Sequence, residues 1–252
     1  MKEPFRIELN FRDLGGYEAR DGRHIKHGLL YRCGSLNFFT PEEIEELKEY
    51  HIHTVLDLRS ERECLKYPDP EMEGVIFIQN SGVISQKDGQ INFSPEGMKQ
   101  TGEKGRDQLE KIKGYYEDIP YKNRAFQRMF DEIRAENVPF LFHCASGKDR
   151  TGVAAILLLL ALDIPEETIR EDYLLSNYYK QESIKQELEG INQEEEPELY
   201  ELILMLYGVS ETVFDIVLND IHRKYDTTEE YLEDNYGLTQ EVLKELRNLY
   251  LE

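Results

Sequence analysis

Residues 139–162, PFLFHCASGKDRTGVAAILLLLAL, constrain the fold of this chain more than any other stretch. An apolar run ends at a His-Cys pair, a short polar loop follows, and a second apolar run begins at once. The first run has the length of a buried strand, and the second has the length of a buried helix. The segment therefore predicts a strand, a tight loop and a helix, with the loop fixed between two elements of the core.

The loop begins at Cys144 and ends at Arg150. Backbone N–H groups in such a loop can converge on one centre, and the following helix adds the positive end of its dipole. Arg150 can close this cradle around an oxyanion with two parallel hydrogen bonds. The same positive field favours the thiolate of Cys144. The 144–150 loop thus combines an anion site with a nucleophile, as attack on phosphorus requires.

The rest of the chain alternates strand-like and helix-like patterns. Apolar, strand-length runs occur at residues 28–32, 53–60, 74–79 and 138–142, and helical patterns occur at 40–50, 123–136 and beyond 164. Thr40, Pro41 and Glu43 form a capping-box start for the first helix. This order predicts an α/β fold with a central, mostly parallel sheet flanked by helices and a helical C-terminal region.

The 252 residues suffice for one large domain or two small ones. No repeat or strong boundary is present, so we predict a single domain over residues 1–252. Residues 81–113 show little periodicity and are interpreted as a long loop or variable insertion. Residues 176–225 have the length of a helical pair that either covers the active site as a lid or simply packs on the sheet.

Composition restricts the partners. With 30 basic and 51 acidic residues the net charge is -21, which repels nucleic acid and anionic membrane surfaces. The longest apolar run, residues 153–162, is too short to cross a bilayer, and the N-terminal residues lack the apolar core of a signal peptide. We therefore expect a cytoplasmic location without membrane insertion. The three cysteines have no paired spacing, so neither a disulfide framework, a metal site nor a cofactor is predicted.

The segment HCASGKDRTG resembles the active-site motif of cysteine-dependent tyrosine phosphatases, and its GKDRTG part resembles the bacterial protein-tyrosine-phosphatase-B-like family, which includes lipid phosphatases. The stretches NFRDLGG, LLYRCGSL, HTVLDLRSERE, DYLLSN and YLEDNYGLTQEVLKELRNLYL resemble that family in the same order. The resemblance covers most of the chain and is weakest over residues 81–113 and 180–215. It implies a tyrosine-phosphatase-like fold and hydrolysis of phosphotyrosine, with dual specificity, through a cysteinyl-phosphate intermediate.

The resemblance assigns roles to the loop residues. Cys144 is the expected nucleophile and Arg150 the phosphate ligand, and His143 fixes the loop. Lys148 adds positive charge at the rim and goes with acceptance of phosphoinositides, or is a surface lysine. Thr151 either donates a hydrogen bond to the departing thiolate or caps the helix. The expected phosphate-binding loop consists of Ala145, Ser146, Gly147, Lys148, Asp149 and Arg150.

The general acid is left open between two aspartates. Many tyrosine phosphatases carry this aspartate beside a Trp-Pro pair, and this chain has no tryptophan. The resembling family places the acid at Asp149, inside the loop, and we favour that residue. Asp118, in YYEDIPY, is the alternative, and Asp107 is a weaker one.

Further polar residues occupy positions that the family places around the pocket. They contact the substrate or support the residues that do. Arg62 is the preferred residue for substrate recognition, followed by Arg12 and Arg59, and the remaining members of this set are Asn10, Asp13 and Asp57.

Three other functions compete with a phosphotyrosine phosphatase. The substrate could be a phosphoinositide or another small phosphate ester. The protein could be an inactive phosphatase that binds phosphorylated partners, although the intact Cys144, Asp149 and Arg150 argue against this. A sulfur-transfer enzyme fits the Arg-Thr-Gly ending of the motif poorly. The sequence does not define the oligomeric state.

The assignment of Cys144 makes a direct prediction. Cys144→Ser should abolish hydrolysis of an aryl phosphate because serine is a far weaker nucleophile, while the phosphate site still binds. Hydrolysis assays and calorimetric titration with inorganic phosphate measure the two properties. Retained hydrolysis in a clean Cys144→Ser preparation would overturn the mechanism.

Overall fold

A computed structural model of the protein describes residues 5–83 and 105–252, with side chains in the second range described from residue 109. Within these residues the strands are β1 (Arg12–Asp13), β2 (Leu30–Cys33), β3 (Thr54–Asp57), β4 (Ile76–Gln79) and β5 (Phe140–His143). The helices are α1 (Pro41–Leu47), α2 (Glu61–Lys66), α3 (Gly105–Asp118), α4 (Arg124–Arg134), α5 (Arg150–Ala161), α6 (Glu166–Tyr179), α7 (Gln181–Glu187), α8 (Pro197–Tyr207), α9 (Glu211–Lys224), α10 (Thr228–Tyr236) and α11 (Gln240–Tyr250). Short 3-10 helices cover Ile7–Leu9, Leu36–Phe38 and Lys48–Tyr50.

The strands form one five-stranded sheet in the order β1-β2-β5-β3-β4. Four strands are parallel, and β1 pairs antiparallel with β2 at the edge. Cys33 and Asp57 both pair with His143, so β5 is flanked by β2 and β3 up to its carboxyl end. The predicted α/β fold with a mostly parallel sheet is confirmed.

Alternation along the strands divides the core between the two faces of the sheet. Leu30, Leu56 and Phe140 belong to a large cluster that includes residues of α3 to α6 and α8 to α11. Tyr31 and Val55 belong to a smaller cluster with the N-terminal segment and α1. Both faces are therefore covered, as a buried parallel sheet requires.

Helix α5 is apolar on every side, and all of its residues after Arg150 are buried. A helix that is hydrophobic all round belongs in the interior. It packs against β2, β5, α6, α10 and α11. The first turn of α5 carries Arg150 and Thr151, so the end of the 144–150 loop is anchored in the core.

The loop predicted for residues 81–113 is wrong at its C-terminal end. Helix α3 already begins at Gly105, and Leu109, Ile112 and Tyr116 bury one face of it. This spacing of three and four is helical, but only three apolar residues carry it among Lys, Gly and Glu, so the pattern is weak in the sequence. Residues 84–104 of the predicted insertion lie outside the described residues.

The segment predicted as a lid contains α7, α8 and α9. Helices α8 and α9 pack against α3, and α9 also packs against α6. The acidic segment of residues 192–196 lies between α7 and α8. The lid and the single domain stay predictions. Among the described residues, none of the helices combines the length and apolar character needed to span a membrane.

A buried charge network joins the N-terminal segment, β2 and α6. Arg32 is fully buried, and its Nη1 donates to Oδ2 of Asp172 at 2.7 Å. Arg12 Nε donates to Oδ1 of Asp172 at 2.8 Å. Burial lowers the pKa of Arg32 to about 10. Burial opposes ionisation of Asp172, but the charges of Arg12 and Arg32 outweigh it and hold its pKa below the ordinary value.

Asp172→Asn should destabilise the fold because it leaves two buried guanidinium groups without their shared carboxylate. Breaking one side of a buried ion pair costs about 3–5 kcal/mol in free energy of unfolding. Urea denaturation measures this cost. Glu110→Gln, which removes the exposed Glu110–Lys113 pair, is the control and should cost less than about 1 kcal/mol. Equal costs for the two variants would contradict a structural role of the network.

Candidate active site

The 144–150 loop connects the carboxyl end of β5 to the first residue of α5. Cys144 lies at its start and is buried, with 1% of its surface exposed. Gly147 has a φ of 71°, which favours glycine, and a Cβ on Gly147 would lie 2.4 Å from the carbonyl oxygen of Cys33. Any other residue at position 147 would therefore change the path of the loop.

Carbonyl groups of the loop are bound by the surrounding fold. The carbonyl oxygen of Gly147 accepts hydrogen bonds from Asn10 Nδ2 at 2.9 Å and Arg32 Nη2 at 3.0 Å. The carbonyl oxygen of Ala145 accepts from the Ser35 N–H at 3.1 Å. With these carbonyls turned toward the scaffold, loop N–H groups are available for the opposite side, the arrangement that binds anions.

The guanidinium group of Arg150 is held by Glu63, a residue of α2. Nη1 donates to Oε2 and Nη2 donates to Oε1, both at 2.8 Å, and Nη1 also donates to the carbonyl oxygen of Leu58 at 3.3 Å. Glu63 Oε2 also accepts from the Ser60 N–H at 2.8 Å. Burial opposes ionisation of Glu63, but Arg150 outweighs it and lowers the pKa of Glu63 to about 2. The pair is therefore charged at neutral pH.

This pairing leaves one edge of Arg150 for a ligand. A guanidinium group carries five N–H donors, and the described contacts use both on Nη1 and one on Nη2. The remaining two, on Nε and Nη2, point in parallel from the same edge. That edge has the geometry for bidentate binding of a phosphate or another oxyanion.

Asp149 and Lys148 are also fixed by partners outside the loop. Tyr116 in α3 donates its O–H to Asp149 Oδ1. Lys148 Nζ donates to the same Oδ1 at 2.8 Å and to the carbonyl oxygen of Met205 in α8 at 2.9 Å. Lys148 was expected at the rim or on the surface, but it is 5% exposed and links the loop to α8. Packing of α8 on this side accounts for the difference.

The two other candidate acids are placed differently. Asp118 is the last residue of α3 and is exposed. It follows Tyr116 by two residues, which is about 200° around a helix, so it leaves α3 on another side than the tyrosine that contacts the loop. The side chain of Asp107 lies outside the described residues. The geometry favours Asp149 over Asp118.

His143 is fully buried beneath the loop. Its Nδ1 lies 3.3 Å from the carbonyl oxygen of Cys144, and its Nε2 lies 3.2 Å from Oδ2 of Asp69. Asp57, Asp69 and His143 are of the residue types that bind metal ions, and their ligand atoms lie within 4.8 Å of one another. However, Arg59 Nη2 already contacts both carboxylates, at 2.7 Å and 2.8 Å. The Arg59 guanidinium group thus already balances the charge of these two carboxylates.

Thr151 lies inside the first turn of α5, one residue after Arg150. The helix-cap alternative is wrong, because the cap position is Asp149 and the Thr151 hydroxyl is buried without a hydrogen-bond partner among the described residues. An unsatisfied buried hydroxyl is unfavourable. The other interpretation, a donor to the departing Cys144 thiolate, stays a prediction.

The three arginines considered for substrate recognition separate into two groups. Arg12 and Arg59 are buried. The guanidinium group of Arg12 contacts Asp172. That of Arg59 contacts Asp57 and Asp69. This arrangement favours a supporting role for both. Arg62 is exposed on α2, next to the glutamate that holds Arg150.

Residues 5–252 match the sequence model of the tyrosine phosphatase family. The protein belongs to this family. The resemblance inferred from the loop and the flanking motifs is confirmed.

Two tyrosine phosphatase relatives resemble a large part of the chain. A Cupriavidus necator protein assigned as a tyrosine-protein phosphatase is 31% identical over 168 residues, which cover 67% of this chain and 60% of the relative. The triple specificity protein phosphatase of Mycobacterium tuberculosis is 27% identical over 188 residues, which cover 67% of this chain and 66% of that protein. The chain thus spans less than two thirds of either relative.

The similarity to solved structures is distant. The core catalytic domain of a PP-IP phosphatase from S. cerevisiae, solved with citrate, has a TM-score of 0.37 and 18% identity, and covers 68% of this chain and 75% of that chain. A TM-score of this size supports no conclusion about function.

Two residues of this site, Glu63 and Tyr116, were missed in the sequence analysis. Glu63 had a detectable signal, because Ser60 and Glu63 form a capping box at the start of α2, which the structure contains. That pattern predicts a helix start, however, and not a contact with Arg150, which lies 87 residues away. The only sequence signal for Tyr116 was its spacing of four residues from Ile112, in the weak helical pattern of α3.

Glu63→Gln should reduce kcat/KM for an aryl phosphate, because Arg150 loses the charged partner that orients it. A misplacement of about 1 Å near a reacting group costs on the order of 100-fold in rate, so we expect a loss of about 10- to 100-fold. Steady-state kinetics measure this, and Glu61→Gln, which changes an exposed glutamate of the same helix, is the control. A kcat/KM for Glu63→Gln equal to that of the control would show that Glu63 does not orient Arg150.

Proposed function

We propose that the protein is a cysteine-dependent protein-tyrosine phosphatase, a hydrolase that acts through a cysteinyl-phosphate intermediate. One observation carries the proposal most directly. Arg150, at the end of the loop that begins with Cys144, is oriented by Glu63 and keeps two parallel N–H donors for an oxyanion. A nucleophile and a preformed oxyanion ligand on one short loop support phosphoryl transfer.

The first step transfers the phosphoryl group to the enzyme. The Cys144 thiolate attacks phosphorus, the sulfur–phosphorus bond forms, and the bond between phosphorus and the tyrosyl oxygen breaks. Asp149 gives its proton to the departing oxygen. Arg150 and the loop N–H groups hold the charge on the transferring group.

The second step returns the enzyme to its starting state. The Asp149 carboxylate takes a proton from water, the water oxygen attacks phosphorus, and the sulfur–phosphorus bond breaks. Inorganic phosphate leaves, and the electron pair returns to the sulfur of Cys144. Thr151, in the first turn of α5 directly after Arg150, is the residue that we propose as hydrogen-bond donor to this departing thiolate.

Phosphotyrosine is the substrate that we propose, in a protein or peptide and with dual specificity. Burial of Cys144 favours a long side chain that can reach it. The phosphoinositide alternative depended on Lys148, whose ammonium group is engaged by Asp149 and Met205. We therefore rank it second.

The proposed location is the cytoplasm. The three cysteines are free, and the reducing cytoplasm keeps thiols in that state. A thiolate nucleophile needs the same condition.

The identity of the general acid is tested with Asp149→Asn and Asp118→Asn on two aryl phosphates, one with a good leaving group and one with the poorer leaving group of phosphotyrosine. General acid catalysis contributes about 100- to 10,000-fold, and a poor leaving group needs it more. We expect Asp149→Asn to lose at least about 100-fold on the poorer ester and much less on the better one.

Two other outcomes would contradict the role of Asp149 or the proposed function. A selective loss in Asp118→Asn would move the acid to α3 and overturn the role of Asp149. No turnover of either ester by the wild-type protein would favour a phospho-binding protein over an enzyme.

A further inference from the structure

The carboxyl group of Asp149 is bound asymmetrically. Tyr116 O–H and Lys148 Nζ both donate to Oδ1, and the described contacts place no donor on Oδ2. The Asp149 side chain is 24% exposed, so the carboxyl group is partly open to solvent while one oxygen is held. The two oxygens of this carboxyl group are therefore not equivalent.

Tyr116 is a rigid donor. It is 3% exposed and packs in the large core cluster through α3, which α8 and α9 hold in place. Burial raises the pKa of Tyr116 well above its ordinary value, so the phenol keeps its proton. In its hydrogen bond to Asp149, the Tyr116 O–H group is therefore the donor and not the acceptor.

We propose that Tyr116 is the positioning residue of the general acid: its hydrogen bond to Oδ1 directs the acidic proton of Asp149 to Oδ2, the oxygen left for the leaving group. The proposal rests on the function proposed above. Two donors occupy Oδ1, so a proton on the carboxyl group meets repulsion there and none on Oδ2.

The same contacts act after proton transfer. When the proton moves from Oδ2 to the tyrosyl oxygen, Asp149 becomes a carboxylate. Tyr116 O–H and the Lys148 ammonium then stabilise its negative charge. In the hydrolysis step the carboxylate takes a proton from water, and the two donors keep Oδ2 directed at that water.

Tyr116→Phe tests the proposal because it removes one hydroxyl and keeps the buried ring. We expect kcat on the ester with the poorer leaving group to fall about 10-fold, a fraction of a full general-acid effect, and kcat on the better ester to stay within about twofold. KM should change little for either ester, since Tyr116 contacts the acid and not the phosphate. A general loss of structure would lower both rates together.

Tyr121→Phe is the matched control. Tyr121 O–H donates to Asp220 Oδ2 at 2.7 Å, so this variant also removes a tyrosine–aspartate hydrogen bond, but one between the segment after α3 and α9. Its ratio of the two rates should equal that of the wild-type protein. Urea denaturation of both variants shows whether they lose similar stability.

A double variant completes the test. If Tyr116 acts through Asp149, then Tyr116→Phe should leave the rate ratio unchanged in an Asp149→Asn background, because the group that it positions is gone. An equal loss on both esters in the single variant, or a further selective loss in the double variant, would overturn the proposal.

These outcomes are distinguishable from failure of the proposed function. If the wild-type protein hydrolyses both esters and Asp149→Asn shows the selective loss, the function holds, and an unchanged rate ratio in Tyr116→Phe then rejects only the role of Tyr116. If the wild-type protein hydrolyses neither ester, the function and the positioning role fail together.

Discussion

The carbonyl oxygen of Gly147 is the point at which the 144–150 loop is tied to the rest of the fold. It accepts hydrogen bonds from Asn10 and from the fully buried Arg32. Arg32 can lie there only because Asp172 neutralises it. The N-terminal segment and β2 thus meet at one backbone atom, and α6 supports this contact through Asp172. Gly147 has the left-handed conformation, and these two donors hold its carbonyl group toward the scaffold.

The charged groups around the loop already have fixed hydrogen-bond partners in the absence of substrate. Glu63 holds Arg150, Tyr116 holds Asp149, and Lys148 spans Asp149 and the backbone of α8. Preorganised groups stabilise developing charge without reorganising during the reaction, which is a main source of catalysis. Local order is also necessary here because the protein carries a net charge of -21, which opposes phosphate binding at long range.

The contacts of Asp149 and Lys148 come from the part of the chain with the weakest sequence pattern. Helix α3 follows a segment with little periodicity, and α8 follows an acidic break, yet Tyr116 and Met205 from these helices contact the two charged residues inside the loop. The family motifs are local in sequence, and none of them includes Tyr116 or Met205. The residues that contact Asp149 and Lys148 lie more than 30 positions away in the sequence, so their pairing depends on how the helices pack.

The sequence by itself determined four of the five described strands, the strand–loop–helix unit and the residue types of the loop, because apolar periodicity and capping patterns are local. It also singled out Cys144, Asp149 and Arg150 as candidates. Only the tertiary structure decided that Lys148 is buried and that Arg12 and Arg59 lie in ion pairs. It also decided that Glu63 occupies one edge of the Arg150 guanidinium group and leaves another for a ligand. The reason is that burial and charge pairing are properties of distant segments brought together, and no local pattern encodes them.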